Sequence, residues 1–561
     1  MKKFRWQLLI IFLTGLVVGF LLLGEQPQPN TIEESKPQTG GVYSEALIGK
    51  LQRLNPLLDF YNSVDRDVDR LLYSSLVKFG ERGIAELDLA ESWGVSKDGS
   101  IYTFTIRPDA KWHDGAPVTN KDVEFTIDML RQGEGVVPQD LISFWNSVEV
   151  NISGDKTVQF KLPEPFAPFL DYLTFGILPS HKFSGSNFAD MVASEINIDP
   201  VGSGPFQFER LIVEDDKIIG IVLKAYDDYY GQKPFIEELV FQYFDDEDNA
   251  FQAYKNNEVM GISQISNQIL PEALAEPNLA IYTSRMPQLS MVLFNLKNQE
   301  TDFLQNANVR KALLLAINRQ YMINHLLNGQ AIIADGPVFP ETWAYYDGIT
   351  HFDYDVQQAQ NLLKDEGYIL VNEGATVRSK DLVKLSFSMI YPDTSLHQQI
   401  AEMIQQDWAK IGVEVNLEAV AYDQLINERL TDRAYQAALV DLNLSKSPDP
   451  DPYPFWDQVQ SSGGQNYSQW NNQTASDYLE QARVSVDLEE RTKLYRNFQV
   501  IWSEDLPALP LYYPVYNYGV SRNVLGVSVG PLYDTSDRFE TIQNWYFISA
   551  NKQEPTVEST P

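Results

Sequence analysis

A mixed α/β fold is the class this 561-residue chain predicts, on three observations. Strand-like alternation and helix-like periodicity take turns along the sequence. Polar capping residues precede several helical patterns, and glycines follow some of them. The composition, 44% hydrophobic and 12% aromatic with 10 Trp and 29 Tyr, supplies apolar mass for two to four ordinary domains.

At the amino terminus, Lys2, Lys3 and Arg5 precede an apolar run from Leu8 to Leu23, the order of a secretory signal or a signal anchor whose positive end stays in the cytoplasm. Leu22-Leu23-Gly24-Glu25 is similar to a lipoprotein signal whose cysteine has been replaced, and no small-x-small cleavage site follows. Residues 1–24 are therefore expected to be an uncleaved anchor, or a periplasmic signal if cut, with the rest exported. Residues 25–39, with Pro27, Pro29 and Pro37, read as a semi-extended tether, and 552–561 as a disordered polar tail.

In the body, Tyr102, Phe104 and Ile106 alternate with Thr103, Thr105 and Arg107 as a half-buried strand. Thr119 and Asp122 form a capping pair for a helix carrying Val123, Ile127 and Leu130. Asn308 is expected to cap a helix carrying Val309, Leu313 and Ile317, with Gly329 near its end, and Asp355 one that ends at Gly367. Ser395 and Gln398 begin a helix whose Ile400, Ile404, Trp408 and Ile411 share a face. Gly412 stops it, and Val413, Val415 and Leu417 alternate as the next strand.

Acidic residues outnumber basic ones by 77 to 43, and the formal charge of −34 argues against nucleic-acid binding. The absence of cysteine excludes disulfides, thiolate metal sites, cysteine nucleophiles and a lipidated cysteine. The five histidines, His113, His181, His325, His351 and His397, are scattered without a zinc motif, and no metal or cofactor is expected. Asp65-Arg-Asp-Val-Asp69 opens like a calcium loop, but Arg70 and Leu76 occupy its sixth and twelfth positions, so it reads as a solvated face.

Several ordered segments carry a resemblance. They are Leu89-Ala-Glu-Ser-Trp93, Ser96-Lys-Asp-Gly99, Tyr102 to Arg107, Lys111-Trp-His-Asp-Gly115 and Thr119-Asn-Lys-Asp-Val123. Pro200-Val-Gly-Ser-Gly-Pro205, Phe294-Asn295, Asn308 to Ala312, Ala316-Ile-Asn-Arg319 and Glu504 to Leu511 follow. Together they resemble solute-binding protein family 5, the peptide, dipeptide and nickel-binding proteins of ABC importers. Asn257-Glu-Val-Met260 departs from the family's Gly-Glu-x-Asp. The resemblance implies a two-lobed periplasmic-binding-protein-like fold (type II, cluster C) with an extra inserted domain. Domain I is then expected at 40–62, 198–286 and 506–551, the inserted domain II at 63–197, and domain III, the second lobe, at 287–505.

The richest candidate site is Ser447-Pro-Asp-Pro-Asp-Pro-Tyr-Pro-Phe-Trp456, where alternating prolines stiffen a loop that displays Asp449 and Asp451. The resemblance implies that an aspartate of this loop meets a ligand's α-amino group; a rigid surface turn is the plainer alternative. Tyr453, Trp456, Tyr467 and Trp470 are candidate pocket walls, and Asn295 and Asn466 candidate polar contacts. Gly202, Ser203 and Gly204 could let main chain approach a ligand or could form a tight turn. Trp112-His-Asp-Gly115 pairs His with Asp, but no nucleophile elbow accompanies it, and a packing role is expected.

The implied function is capture without catalysis. A monomeric binding protein takes a peptide or other small solute in its interlobe cleft and hands it to an ABC permease and ATPase at the outer face of the cytoplasmic membrane. A nickel chelate or an oligosaccharide in the same fold, a surface sensor or adhesin, and a secreted hydrolase are the alternatives.

Overall fold

The computed structural model describes residues 37–80, 82–445 and 447–548. The expected anchor, almost all of the tether and the tail lie outside them. Among the described residues no helix is long and apolar enough to cross a membrane.

Strand β1 (Val42–Ile48) is followed by helix α1 (Ser63–Leu72), capped by the Asn62 side chain. Next come β2 (Ala90–Val95), β3 (Ile101–Ile106), α2 (Asn120–Arg131), β4 (Glu149–Ser153) and β5 (Thr157–Lys161). These four strands make an antiparallel sheet in the order β2-β3-β5-β4. The alternation of β3 puts Tyr102, Phe104 and Ile106 on its buried face, where Phe104 meets Phe160 edge-on and Phe160 meets Phe169. Thr119 and Asp122 form the expected capping box at the start of α2.

The larger sheet has twelve strands among the described residues. It uses β1, then β6 (Phe206–Glu214), β7 (Lys217–Ala225), β8 (Glu238–Phe244), β9 (Gly261–Ile262), β10 (Leu279–Arg285) and β11 (Gln288–Phe294). Helices α3 (Ala307–Ala316), α4 (Arg319–Leu326) and α5 (Val356–Asp365) lead to β12 (Ser386–Pro392), α6 (Ser395–Ala409), β13 (Glu414–Val420) and β14 (Ala437–Asn443). Helices α7 (Gln473–Val484) and α8 (Leu488–Asp505) precede the 14-residue strand β15 (Ala508–Ser521). The principal order is β13-β12-β14-β11-β15-β9-β1-β8-β7-β6, with β10 and a short strand at Ala331–Ile333 also paired to β15.

That order makes β15 the member common to both halves. Its leading part pairs antiparallel with β11, Leu293 opposite Ala508 and Ser290 opposite Tyr512; its trailing part pairs with β10, Arg285 opposite Val515 and Leu279 opposite Ser521. Strands β10 and β11 thus lie end to end along β15, and the chain passes between halves at Met286–Pro287. The Met286 N–H donates to the Pro514 carbonyl at 2.9 Å, tying the two crossing segments together. Each half has its own apolar core. One gathers Trp408, Phe387, Trp502, Tyr495 and Phe498 under β11 to β14, and the other packs Phe251, Tyr254, Ile262 and Leu279 against Ala46.

Three local expectations need correction. Asn306, not Asn308, caps α3; its side chain accepts from the Asn308 N–H at 2.8 Å, while the Asn308 amide donates to Glu366 at 2.6 Å. The helix ends at Ala316 instead of running toward Gly329, because Asn318 turns its N–H to Asp407 (2.9 Å) and caps α4. The Asp65 to Asp69 segment is not a solvated face: all three aspartates are buried in α1. Asp65 accepts from the Gln52 and Arg53 N–H groups, and Asp67 pairs with Arg538 at 2.7 Å. The helix expected to begin at Ser395 does begin there, and Thr394 caps it, accepting from the His397 N–H.

A candidate ligand cleft between the lobes

The proline-alternating loop sits where the two halves meet. Between Pro448 and Pro452 the only backbone donors are those of Asp449 and Asp451, since proline has none. Both are used. The Asp449 N–H donates across the cleft to the Asp171 carboxylate at 3.1 Å, and the Asp451 N–H donates to Asp449 Oδ1 at 3.2 Å. The loop is therefore stitched both to itself and to the opposite wall.

The two carboxylates predicted to be ligand anchors already have cations. Arg491 on α8 grips Asp449 with both terminal nitrogens, Nη1 to Oδ2 at 2.6 Å and Nη2 to Oδ1 at 2.8 Å. Its Nε donates to the Ala482 carbonyl and Nη2 also to the Tyr495 hydroxyl. Burial works against the Arg491 charge, but Asp449 beside it holds the guanidinium above its ordinary pKa. Arg483 on α7 donates from Nε to Asp451 Oδ2 at 3.0 Å. Its guanidinium lies over the Tyr453 ring at 4.3 Å and, from the other wall, the Phe166 ring at 5.0 Å. Burial raises the Asp451 carboxyl despite Arg483, and its Oδ1 has no hydrogen-bond partner among the described residues.

The cleft behind this loop encloses about 520 Å³, a size suited to a small ligand. Its lining comes from residues 56–79 and 533–537 of one half, 138–176 of the inserted sheet domain, and 443–483 of the other half. Aspartates 59, 69, 140, 171, 449, 451, 534 and 537 face it, against Arg66, Arg70, Lys78 and Arg483. Those four cations are engaged: Arg66 with Asp534 at 2.8 Å, Arg70 and Lys78 with Glu540, and Arg483 with Asp451. Apolar walls come from Phe60, Phe79, Leu141, Phe166, Phe175 and Phe455. Among the described residues no group of three or more His, Asp or Glu is disposed to hold a metal ion.

The remaining sequence candidates are placed elsewhere. Trp456 is buried edge-on against Trp502 at 5.2 Å, and the Trp470 indole N–H donates to Asp505. Tyr453 serves as a platform for Arg483, while Tyr467 underlies Arg433 at 4.8 Å. Asn466 is fully buried and donates to the Asp457 and Trp470 carbonyls. Asn295 donates to the Arg433 and Tyr435 carbonyls and accepts from Gln469. All of these side chains shape the second half from within, and none of them lines the cleft.

Gly202, Ser203 and Gly204 are also structural. A Cβ on Gly202 would stand 1.8 Å from the Leu72 carbonyl oxygen, and one on Gly204 2.3 Å from that of Leu71. The glycines thus let the turn close on the end of α1, and Ser203 bonds Ser74. His113 holds the same turn from the other side. Gly202 N–H donates to its Nδ1 and its Nε2 donates to the Gly204 carbonyl, both at 3.1 Å. Burial depresses its pKa to about 4, consistent with this neutral bridging tautomer. The packing role expected for the Trp112-His-Asp-Gly motif is what the structure displays.

Asp171 and Tyr533 went unnoticed in the sequence. Asp171 is the only acid in the aromatic run Phe166 to Phe175, a pattern that could have flagged it. Tyr533 carries no local signal.

Comparison with known proteins fits this geometry. The bacterial extracellular solute-binding proteins, family 5 (middle region), match residues 85–467. The Dipeptide-binding protein of Escherichia coli (strain K12) is 29% identical over 543 residues, spanning 92% of this chain and 96% of its own. The oligopeptide-binding protein AppA of Bacillus subtilis, solved in complex with a nonapeptide, superposes with a TM-score of 0.64 at 26% identity, covering 92% of this chain and 100% of that one. HbpA2 of Haemophilus parasuis shares the fold, with a TM-score of 0.77 at 21% identity over 90% of this chain and 100% of its own.

Proposed function

Because this chain belongs to the bacterial extracellular solute-binding proteins, family 5, we propose that its interlobe cleft captures short peptides for delivery to an ABC permease and its ATPase. The observation that carries the peptide reading is the cleft itself, about 520 Å³ walled by all three parts of the fold, in a chain whose relatives include a dipeptide-binding protein and an oligopeptide-binding protein. The family is one of binding proteins, not of enzymes, and a binding role needs only closure around the ligand.

The chain acts as a monomer, held by its amino-terminal segment at the outer face of the membrane. Its first lobe comprises residues 40–75, 198–286 and 513–546, its inserted domain 76–197, and its second lobe 287–512. Two features favour these boundaries over those expected from sequence. Helix α1 is bound to the first lobe through Asp67 and Arg538, and the leading part of β15 pairs with β11.

Native mass spectrometry of gently purified protein, followed by denaturing identification of what it retains, tests the reading. A heterogeneous set of short peptides is the expected result. One defined sugar or metal chelate would overturn the peptide assignment while leaving the fold in place.

A further inference from the structure

Three carboxylates converge where the inserted domain meets the second lobe, and among the described residues only two of them are paired with a cation. Asp449 has Arg491 and Asp451 has Arg483. Among the described residues Asp171, facing the same cavity, has as its hydrogen-bond donor only the Asp449 N–H. Burial and the adjacent Asp449 charge push its carboxyl well above the usual carboxylate range, and the Asp449 N–H and Arg491, a guanidinium already paired with Asp449, offset that rise only in part.

A second, independent feature points into the same space. Tyr533 lines the cavity and is only 6% exposed, yet its hydroxyl has no hydrogen-bond partner among the described residues. A buried hydroxyl without a partner has lost its water and gained nothing in exchange, so a group arriving with polar hydrogens would relieve it. Burial raises its pKa, Arg285 opposes the rise, and Asp537 and Asp171 add to it, which places the hydroxyl in the field of Asp171.

We propose that Asp171, assisted by the Tyr533 hydroxyl, receives the ligand's ammonium group, and that the cleft therefore selects ligands positively charged at this end. This rests on the peptide reading but goes beyond it, since it assigns the anchor to the inserted domain and not to the Asp449–Asp451 loop. An ammonium offers three donors, one or two of which satisfy the carboxylate and one the phenol oxygen. The ligand cation would complete three acid–cation pairs where two exist now. A ligand carboxylate at this wall would face Asp171, Asp449 and Asp451 together.

The test is calorimetric titration of the full-length chain, in detergent, with Ala-Ala-Ala, Lys-Ala-Ala, N-acetyl-Ala-Ala-Ala and the non-peptide cation spermidine. Asp171→Asn, which keeps an acceptor for the Asp449 N–H, and Tyr533→Phe are compared with the parent. The expected result is at least tenfold weaker binding of the acetylated peptide than of the free one, a difference that Asp171→Asn abolishes and Tyr533→Phe narrows. An unchanged preference in Asp171→Asn, or equal binding of acetylated and free peptides, would overturn the assignment. Spermidine binding lost in Asp171→Asn, with no peptide bound at all, would sustain the cation site and overturn the peptide reading. Failure of every cation to bind would overturn both.

Discussion

His113 shows how a single side chain ties a motif to pH. Its ring joins Gly202 and Gly204 only while neutral, because protonation would turn Nδ1 from acceptor to donor against the Gly202 N–H. Its folded pKa, about 4, lies below the ordinary imidazole value of 6.5, so its stabilising contribution is complete above pH 6.5 and is lost as pH falls through that value toward 4. At 1.36 kcal/mol per unit the loss reaches up to about 3 kcal/mol. Asp65 and Asp537, each raised to about 6 mainly by burial, act in the opposite sense, since lowering the pH favours their folded form. The comparison is therefore with His113→Gln: urea unfolding at pH 7 and pH 4.5 should show a larger acid loss in the parent than in the variant. An equal loss would mean that His113 is not buried neutral.

At the scale of the element, Asp122 does more than close the capping box of α2. One oxygen accepts from the Thr119 N–H (2.7 Å) and hydroxyl, the other from the Ser180 N–H (2.9 Å) and hydroxyl (2.6 Å), so the helix start is clamped to a distant loop. Asp122→Ala should destabilise the inserted domain by roughly 3 kcal/mol, the sum of a lost cap and stranded buried donors. Thermal unfolding followed by calorimetry would register it as an earlier transition, and a shift no larger than that of Thr119→Ala would contradict the clamp. The cap itself was legible because Thr119 and Asp122 are local to one another; Ser180 was not, since nothing in the spacing of 58 residues announces it. The same division runs through the fold. Alternation at Tyr102 to Ile106 and the face of Ile400, Ile404 and Trp408 could be read directly, as could the family motifs. Asp449 and Asp451 were recognisable as unusual residues, but their partners Arg491 and Arg483 lie 42 and 32 positions away, so the pairing that neutralises them was hidden. The aromatics at 456 and 470 look the same in sequence whether they wall a ligand or fill a core.

For the whole molecule, the contacts that span the cleft set how readily it opens. Arg483 is held by Asp451 and Tyr453 on its own side and reaches Phe166 on the other, and the Trp343 N–H meets the Arg82 carbonyl at 3.0 Å. Closure and binding are coupled through such contacts, because a ligand shifts the equilibrium only by its preference for one state. Arg483→Ala should favour the open form, seen as a larger radius of gyration by X-ray scattering without ligand and a several-fold weaker affinity with it. No change in radius would show that the cation–ring contact carries no weight in closure. The buried Arg538 has a consequence of a different kind. Its guanidinium is fully enclosed and pairs with Glu45 at 2.8 Å and Asp67 at 2.7 Å, residues made almost five hundred positions earlier. As the polypeptide is synthesised from its amino end, those two acids have no such counter-charge until residue 538 emerges. The half gathered under β11 to β14, whose buried core is drawn from Leu289 to Tyr513, can assemble first, while the half begun earliest is finished last.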